Sequence, residues 1–344
     1  MFEAFELSER YRQVLTIVVE DYIRHAEPVG SRTVSKRLRP PLSPATVRNI
    51  MADLEELGFL TQPHVSAGRI PTEEGFRYYV ENLLEAEPLP ENIRERIELA
   101  FASEEIEDLS ELLRLASKLL TQMTGFPSVV SAPKIGTERL LKIDFVFLGR
   151  GLVLVVAVTE GGIVVNRLLK VPRSVTQKSL ERLAEYLNYK LPRLTLEEAR
   201  DELLKEIEAE RKFLEKLFAE LEEEEKEKTE PIVEGLSKLL DIPEFKDVNR
   251  LKELLAAFEE KNIFLKVIER CLGSHGVQVL IGSETGLGSP RNLSAVASPY
   301  GKNHPMGGLA VIGPIRMDYS KVVPVVDYTS KIVSHLLDKF IPRT

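Results

Sequence analysis

Thr46, Arg48 and Asn49 lie within four consecutive positions and place hydrogen-bonding side chains beside the small Ala45 and Ala52. An arginine can grip guanine through two parallel N–H groups, and an asparagine can pair in the same two-point way with adenine. The chemistry on offer is recognition of base edges. Around these residues stand Arg32, Lys36, Arg37 and Arg39 on one side, and His64 and Arg69 on the other. Such groups suit phosphate contacts, which fix position without reading sequence.

These side chains need a rigid carrier. Ser43 is a good N-cap, and Pro44 sits at the first helical position, where its missing N–H costs nothing. Val47, Ile50, Met51, Leu54 and Leu57 recur at helical spacing, so one face is apolar and Thr46, Arg48 and Asn49 stand on the other. Gly58 ends the helix. The acids Asp53, Glu55 and Glu56 come only in the later turns, which predicts docking through the N-terminal half. A short helix, Ser31 to about Leu38, precedes it and opens with Ser31 and Arg32. A longer one, Ser8 to about His25, packs behind through Tyr11, Val14, Leu15, Val18, Val19 and Tyr22. Phe59 to Gln62 reads as a strand, Ser66-Ala67-Gly68 as a turn, and Arg69-Ile70 as the return strand, with His64 and Arg69 on the wing. Thr72 to about Leu84 closes the module as a helix. This is the element order of a winged helix-turn-helix over residues 1–88. Winged helices also serve as protein–protein modules. Here residues 28–72 hold six Lys/Arg against three acids, on the elements that would face a polyanion.

The formal net charge of −8 does not contradict that reading. From Thr195 to Glu230 there are fifteen acids and seven bases, so one segment holds the whole imbalance. The single cysteine, Cys271, rules out an internal disulfide and points to a reducing compartment, with the thiol buried. No secretory signal is visible, and the longest apolar run, Leu152 to Val158, is far below the ~20 residues that span a bilayer. A cytoplasmic protein with no membrane partner is expected. The five histidines show no metal-ligand spacing, and one cysteine cannot build a zinc cluster. Gly282 to Ser289 superficially resembles a phosphate loop but lacks the closing Gly-Lys-Ser/Thr, and a hairpin connection is expected instead. No enzyme, cofactor or metal is expected.

Beyond a Pro-rich break at Glu87 to Pro90, residues 91–123 read as helices with a stripe of Leu109, Leu112, Leu113, Ala116, Leu119, Leu120 and Met123. Leu140 to Leu148, Gly151 to Thr159 and Gly162 to Lys170 form a meander with short glycine-containing turns. Residues 175–272 read as helical, and Glu197 to Lys228 is either a solvated helix or a partner-binding arm. Three further strands follow, Val277 to Gly282, Leu293 to Ser298 and Gly308 to Ile312, then an amphipathic helix from about Tyr319 to Phe340. The chain is therefore expected to be α+β. The six strands would form a GAF-like antiparallel α/β sandwich from residues 89–174 and 246–344, with the helical stretch 175–245 inserted in it.

Several motifs carry a family resemblance. They are Leu7-Ser8-Glu9-Arg10, Pro28-Val29-Gly30-Ser31-Arg32, the run Ser43-Pro44-Ala45-Thr46-Val47-Arg48-Asn49-Ile50-Met51-Ala52-Asp53-Leu54-Glu55, His64-Val65-Ser66-Ala67-Gly68-Arg69-Ile70-Pro71-Thr72, and Ile312-Gly313-Pro314-Ile315-Arg316-Met317-Asp318-Tyr319. Through them the chain resembles the HrcA family of bacterial heat-inducible transcription repressors along essentially its whole length. The resemblance implies a repressor of chaperone operons that binds an inverted repeat, CIRCE, in double-stranded DNA. It implies three parts: winged helix, GAF-like domain and an inserted dimerising domain. It also implies that the GroEL chaperonin helps to keep the repressor able to bind DNA. A two-fold operator calls for a two-fold protein, so a homodimer is expected, with its contacts from the insertion. The DNA-binding residues would be Ser31, Arg32, Ser43, Thr46, Arg48, Asn49, His64 and Arg69. The alternative is a winged-helix regulator gated by a small molecule in the GAF-like pocket.

Overall fold

The computed structural model describes residues 7–65, 67–84, 88–104, 106–133, 139–159, 164–171, 176–190, 194, 198, 231–243, 261–273, 276–286, 292–301 and 305–337. The acidic stretch Glu197 to Lys228 lies outside them save for residue 198, as do Ser66 and the last residues of the chain.

Three helices open the fold: α1 (Glu9–His25), α2 (Ser31–Arg37) and α3 (Pro44–Glu56). Val14, Leu15, Val18 and Val19 of α1 are buried, as the spacing predicts, and α1 ends where Ala26 turns left-handed and donates its N–H to the Tyr22 carbonyl at 2.9 Å. A two-stranded antiparallel ribbon follows, β1 (Leu60–Thr61) and β2 (Ile70–Pro71), then α4 (Glu73–Tyr78). The helix expected to run from Thr72 to Leu84 changes character on the way. Its α-helical part stops at Tyr78, and Tyr79–Leu83 form a π turn. α5 (Glu91–Ser103) and α6 (Leu109–Thr124) lead into the sheets.

The strands do not form one sandwich. β4 (Leu140–Gly149), β5 (Leu152–Thr159) and β6 (Val164–Lys170) make a separate three-stranded antiparallel sheet. One face of it is covered by α7 (Gln177–Lys190), whose Leu180, Ala184 and Leu187 pack on Ile143, Phe145, Val153, Val155 and Ala157. Asn188 clamps the outer strand, accepting from the Ile143 N–H at 2.7 Å and donating to the Ile143 carbonyl at 2.8 Å. A second, five-stranded antiparallel sheet has the order β7-β3-β10-β9-β8. Its strands are β3 (Ser128–Val130), β7 (Ile232–Glu234), β8 (Gln278–Ile281), β9 (Leu293–Tyr300) and β10 (Gly307–Pro314). α8 (Lys261–Leu272) packs on one face through Phe264, Val267, Ile268 and Cys271. The other face meets α6 and α9 (Tyr319–Leu336).

The sheets thus correct the expected six-strand sandwich. The meander, placed by sequence in the GAF-like part, shares no ladder with the other strands among the described residues and has its own core. Conversely β7, with Leu239 and Ile242, lies inside the expected insertion 175–245 yet joins the five-stranded sheet and its core. The physical reason is strand patterning. β5 alternates between half-buried and buried residues, the mark of a sheet with one cover. β10 is buried at every position and needs two covers.

One continuous core runs from α1, α2 and α3 through α4, α5 and α6 to the inner face of the five-stranded sheet. Among the described residues no helix is long and apolar enough to cross a membrane, and no cluster of His, Cys, Asp and Glu could hold a metal ion.

Candidate nucleic-acid interface

The geometry of α3 begins at its cap. The Ser43 hydroxyl accepts the Thr46 N–H at 3.1 Å and lies 2.8 Å from the Thr46 hydroxyl. A serine cap of this kind stabilises a helix by about 1 kcal/mol. The preceding turn is held by the Ser35 hydroxyl, which donates to the Leu42 carbonyl at 2.6 Å. Val47, Ile50, Met51 and Leu54 are buried, and Val34 of α2 is buried beside them. Leu57, expected on the apolar face, is 42% exposed, because the helix ends one residue earlier and Leu57 belongs to the turn at Gly58.

Ala45, Thr46, Arg48 and Asn49 are exposed on the opposite face of the first turns. Among the described residues Arg48 and Asn49 make no hydrogen bond or ion pair. Their polar groups are therefore open to solvent. Thr46 is exposed as well, but its hydroxyl is shared with the cap. Ser31 is half-buried at the start of α2, and Arg32 is exposed.

Two of the three acids at the far end of α3 have partners inside the protein. Tyr11 donates its hydroxyl to Asp53 at 2.6 Å, and that bond raises the tyrosine pKa above its ordinary value. Arg69 Nε lies 2.8 Å from Glu55 Oε2, a contact that is ionic rather than a directed hydrogen bond. The first turns of the helix therefore present a cation and an amide, and of the acids behind them Glu55 is paired with a cation.

Three cations expected to face phosphate are already engaged. Arg37 reaches back to α1, donating to Glu20 at 2.6 Å and Asp21 at 3.0 Å. Arg39 curls onto the carbonyls of Lys36 and Leu38, each at 2.8 Å. Arg69 side-chain exposure is only 16%, since Glu55 draws it onto α3 and away from the ribbon tip. Lys36 and Arg32 remain exposed.

The ribbon has features that the sequence reading missed. Val29 and Arg69 exchange both backbone bonds at 2.9 Å, so the segment before α2 adds a third, one-bridge strand. Gly68 permits this, because a Cβ there would lie 2.3 Å from the Val29 carbonyl oxygen. Gln62 donates its side-chain amide to the carbonyls of Val65 at 3.0 Å and Ala67 at 2.9 Å. His64 is exposed, and Val65 at the tip is 99% exposed. A glutamine three residues before an apolar tip carries no helical or strand period, so pattern alone did not single it out.

Comparison with known proteins adds the following. A family model described as the HrcA protein C terminal domain matches residues 110–323. The chain is 42% identical over 340 residues to the heat-inducible transcription repressor HrcA of Geobacter sulfurreducens, covering 97% of this chain and 99% of that protein. It is 39% identical over 343 residues to the protein of the same name from Syntrophobacter fumaroxidans, covering 97% and 98%. Among solved structures, the crystal structure of a hypothetical protein matches with a TM-score of 0.58 at 24% identity, over 97% of this chain and all of that one. That last likeness is one of fold. The family model begins beyond α4, so the similarity across α2, α3 and the ribbon rests on the full-length relatives.

Proposed function

The chain belongs to the HrcA family of heat-inducible transcription repressors, and from that premise we propose that it represses chaperone operons by laying the first turns of α3 in the major groove of a CIRCE inverted repeat. The observation that carries this reading is the unpaired, exposed Arg48 and Asn49 on a capped helix whose other face is buried. Arg48 would hold a guanine and Asn49 an adenine. Ser43, Thr46, Ser31 and Arg32 would meet the flanking backbone, and His64 and Val65 would reach the neighbouring groove as a wing. The N-terminal 88 residues act in this reading as a winged helix, and the five-stranded sheet with α6, α8 and α9 as the GAF-like part.

The active species is a homodimer working in the cytoplasm, because an inverted repeat presents two half-sites related by two-fold symmetry. The contact expected from the insertion 175–245 is better placed on the open face of the three-stranded sheet, at residues 140–170 and so outside that stretch. Val146, Leu154 and Leu168 lie in register across it, and Val146, Leu148, Val164 and Leu168 are exposed. In the same reading GroEL sustains the DNA-binding form, and heat, by diverting the chaperonin to unfolded clients, lifts repression.

A mobility-shift titration on a CIRCE duplex, with a scrambled duplex as control, tests the proposal. Specific binding by the unaltered chain is expected. Arg48→Ala should weaken binding to CIRCE by about 1–3 kcal/mol and relax base preference. An equal loss on both duplexes would remove Arg48 from base reading. Arg69→Ala should weaken binding to both duplexes while leaving the salt dependence unchanged, because Arg69 braces the wing on α3. A salt slope reduced by about one would instead give it a phosphate contact.

A further inference from the structure

The reading helix is wired to the five-stranded sheet through α4. At its near end, Thr72 donates its hydroxyl to the Gly58 carbonyl at 2.6 Å and its N–H to the Phe59 carbonyl at 3.1 Å. Gly75 lets α4 sit on β1, since a Cβ there would fall 2.1 Å from the Phe59 carbonyl oxygen. These contacts join α4 to the end of α3 and leave little play between them.

At its far end α4 meets the 3-10 turn Gly282–Thr285 that follows β8. Arg77 Nε donates to Glu284 Oε1 at 2.9 Å, and Arg77 Nη2 donates to the Val279 carbonyl at 2.8 Å while pairing with the second Glu284 oxygen. That same Glu284 oxygen accepts the Ile281 N–H at 2.9 Å, so the carboxylate is also held by its own turn. The Arg270 guanidinium bonds the Glu284 carbonyl from behind. One turn earlier on α4, Glu73 accepts the N–H and hydroxyl of Ser283 at 3.0 and 2.8 Å. Gly282 makes room for that carboxylate, because a Cβ on it would meet the Glu73 carboxyl carbon at 2.2 Å. The apolar part of the same contact is Phe76, set between Tyr22 and Tyr319 at ring separations of 6.2 and 6.5 Å.

Apolar contact holds two bodies together but has little direction, whereas paired charge-assisted hydrogen bonds fix an angle. Five polar contacts from two positions on one short helix are more than adhesion requires. We propose that Arg77 and Glu284, assisted by Glu73 on Ser283, are positioning residues for operator recognition: they fix the angle of α3 to the sheet, and so the separation of half-sites that the dimer accepts. Half-sites read by such dimers lie one helical turn, roughly 34 Å, or a multiple of it apart, and a small change of angle at α4 is magnified at α3. This rests on the repressor reading above. It adds that selectivity for spacing resides in a contact that touches no DNA.

The test uses the full chain and four kinds of duplex: CIRCE, a single half-site, CIRCE with its spacer altered by one to three base pairs, and a scrambled sequence. Arg77→Ala should bind CIRCE at least about tenfold more weakly, because a second half-site reached at the wrong geometry no longer adds avidity. Its half-site affinity should stay within about twofold, and its dependence on spacer length should flatten. Glu284→Gln keeps the side-chain shape and should show a smaller change of the same kind. The exchanged pair Arg77→Glu with Glu284→Arg should recover part of the spacer preference. If the variants keep the unaltered spacer preference, or lose half-site and CIRCE binding in parallel, the positioning role is overturned while the repressor reading stands. If the unaltered chain fails to prefer CIRCE to scrambled DNA, the repressor reading falls and this proposal falls with it.

Discussion

The two sheets of this molecule draw on the same apolar residues and use them in opposite ways. β9 and β10 are buried along nearly their whole length, enclosed by α6 and α9 on one side and α8 on the other. β4, β5 and β6 are covered on one face only, and their outward row of Val146, Leu154 and Leu168 has no cover among the described residues. Such a face in water is an incomplete core. The difference teaches that the five-stranded sheet finds both its covers among the described residues, whereas the meander finds only one there and leaves an apolar row open.

A charge placed in each sheet would break that contrast if it were wrong. Val311→Asp puts a carboxylate between two apolar layers with no partner, and should cost about 4 kcal/mol or more, enough to leave no cooperative thermal transition. A variant that melts normally would show that one cover is dispensable. Leu168→Lys, at a side chain 59% exposed, should change the stability of the folded protomer by no more than about 0.5 kcal/mol. It should nonetheless shift the sedimenting species from dimer to monomer at micromolar concentration; a dimer of unchanged affinity would assign the open face another role. The smallest effect concerns Cys271, under the α8 cover, whose thiol burial pushes up to about 11. The thiol and not the thiolate then prevails at pH 8, and a thiol-specific reagent should label the native protein far more slowly than the denatured one. Fast native labelling would show that α8 lifts from its sheet.

The legible parts of the sequence were those with local rules. Ser43 and Pro44 announce a helix start, Val47 to Leu54 its buried face, and the alternation of Ile143 and Phe145 a covered strand. The illegible parts depend on distant partners. β3 and β7 are three residues each, too short for a period, and they become strands only because β10 and β3 offer free ladder edges. The grouping of the six strands in one GAF-like sandwich failed for the same reason, since pairing is decided across the whole chain. In the candidate interface, the type and face of Arg48 and Asn49 could be read directly. The capture of Arg37 by Glu20 and Asp21, and of Arg69 by Glu55, could not, because those acids sit on other elements. A deletion of residues 175–245 would for this reason cut away α7 and β7, damaging both sheets rather than excising one unit.

The grip of Gln62 on the carbonyls either side of the ribbon tip has a thermodynamic consequence. Fixing a loose residue costs about 1–2 kcal/mol of backbone entropy, which a floppy tip would have to surrender on meeting DNA. Here that part of the ordering is met during folding, so if the wing meets DNA as proposed, contacts of His64 and Val65 would be spared this cost.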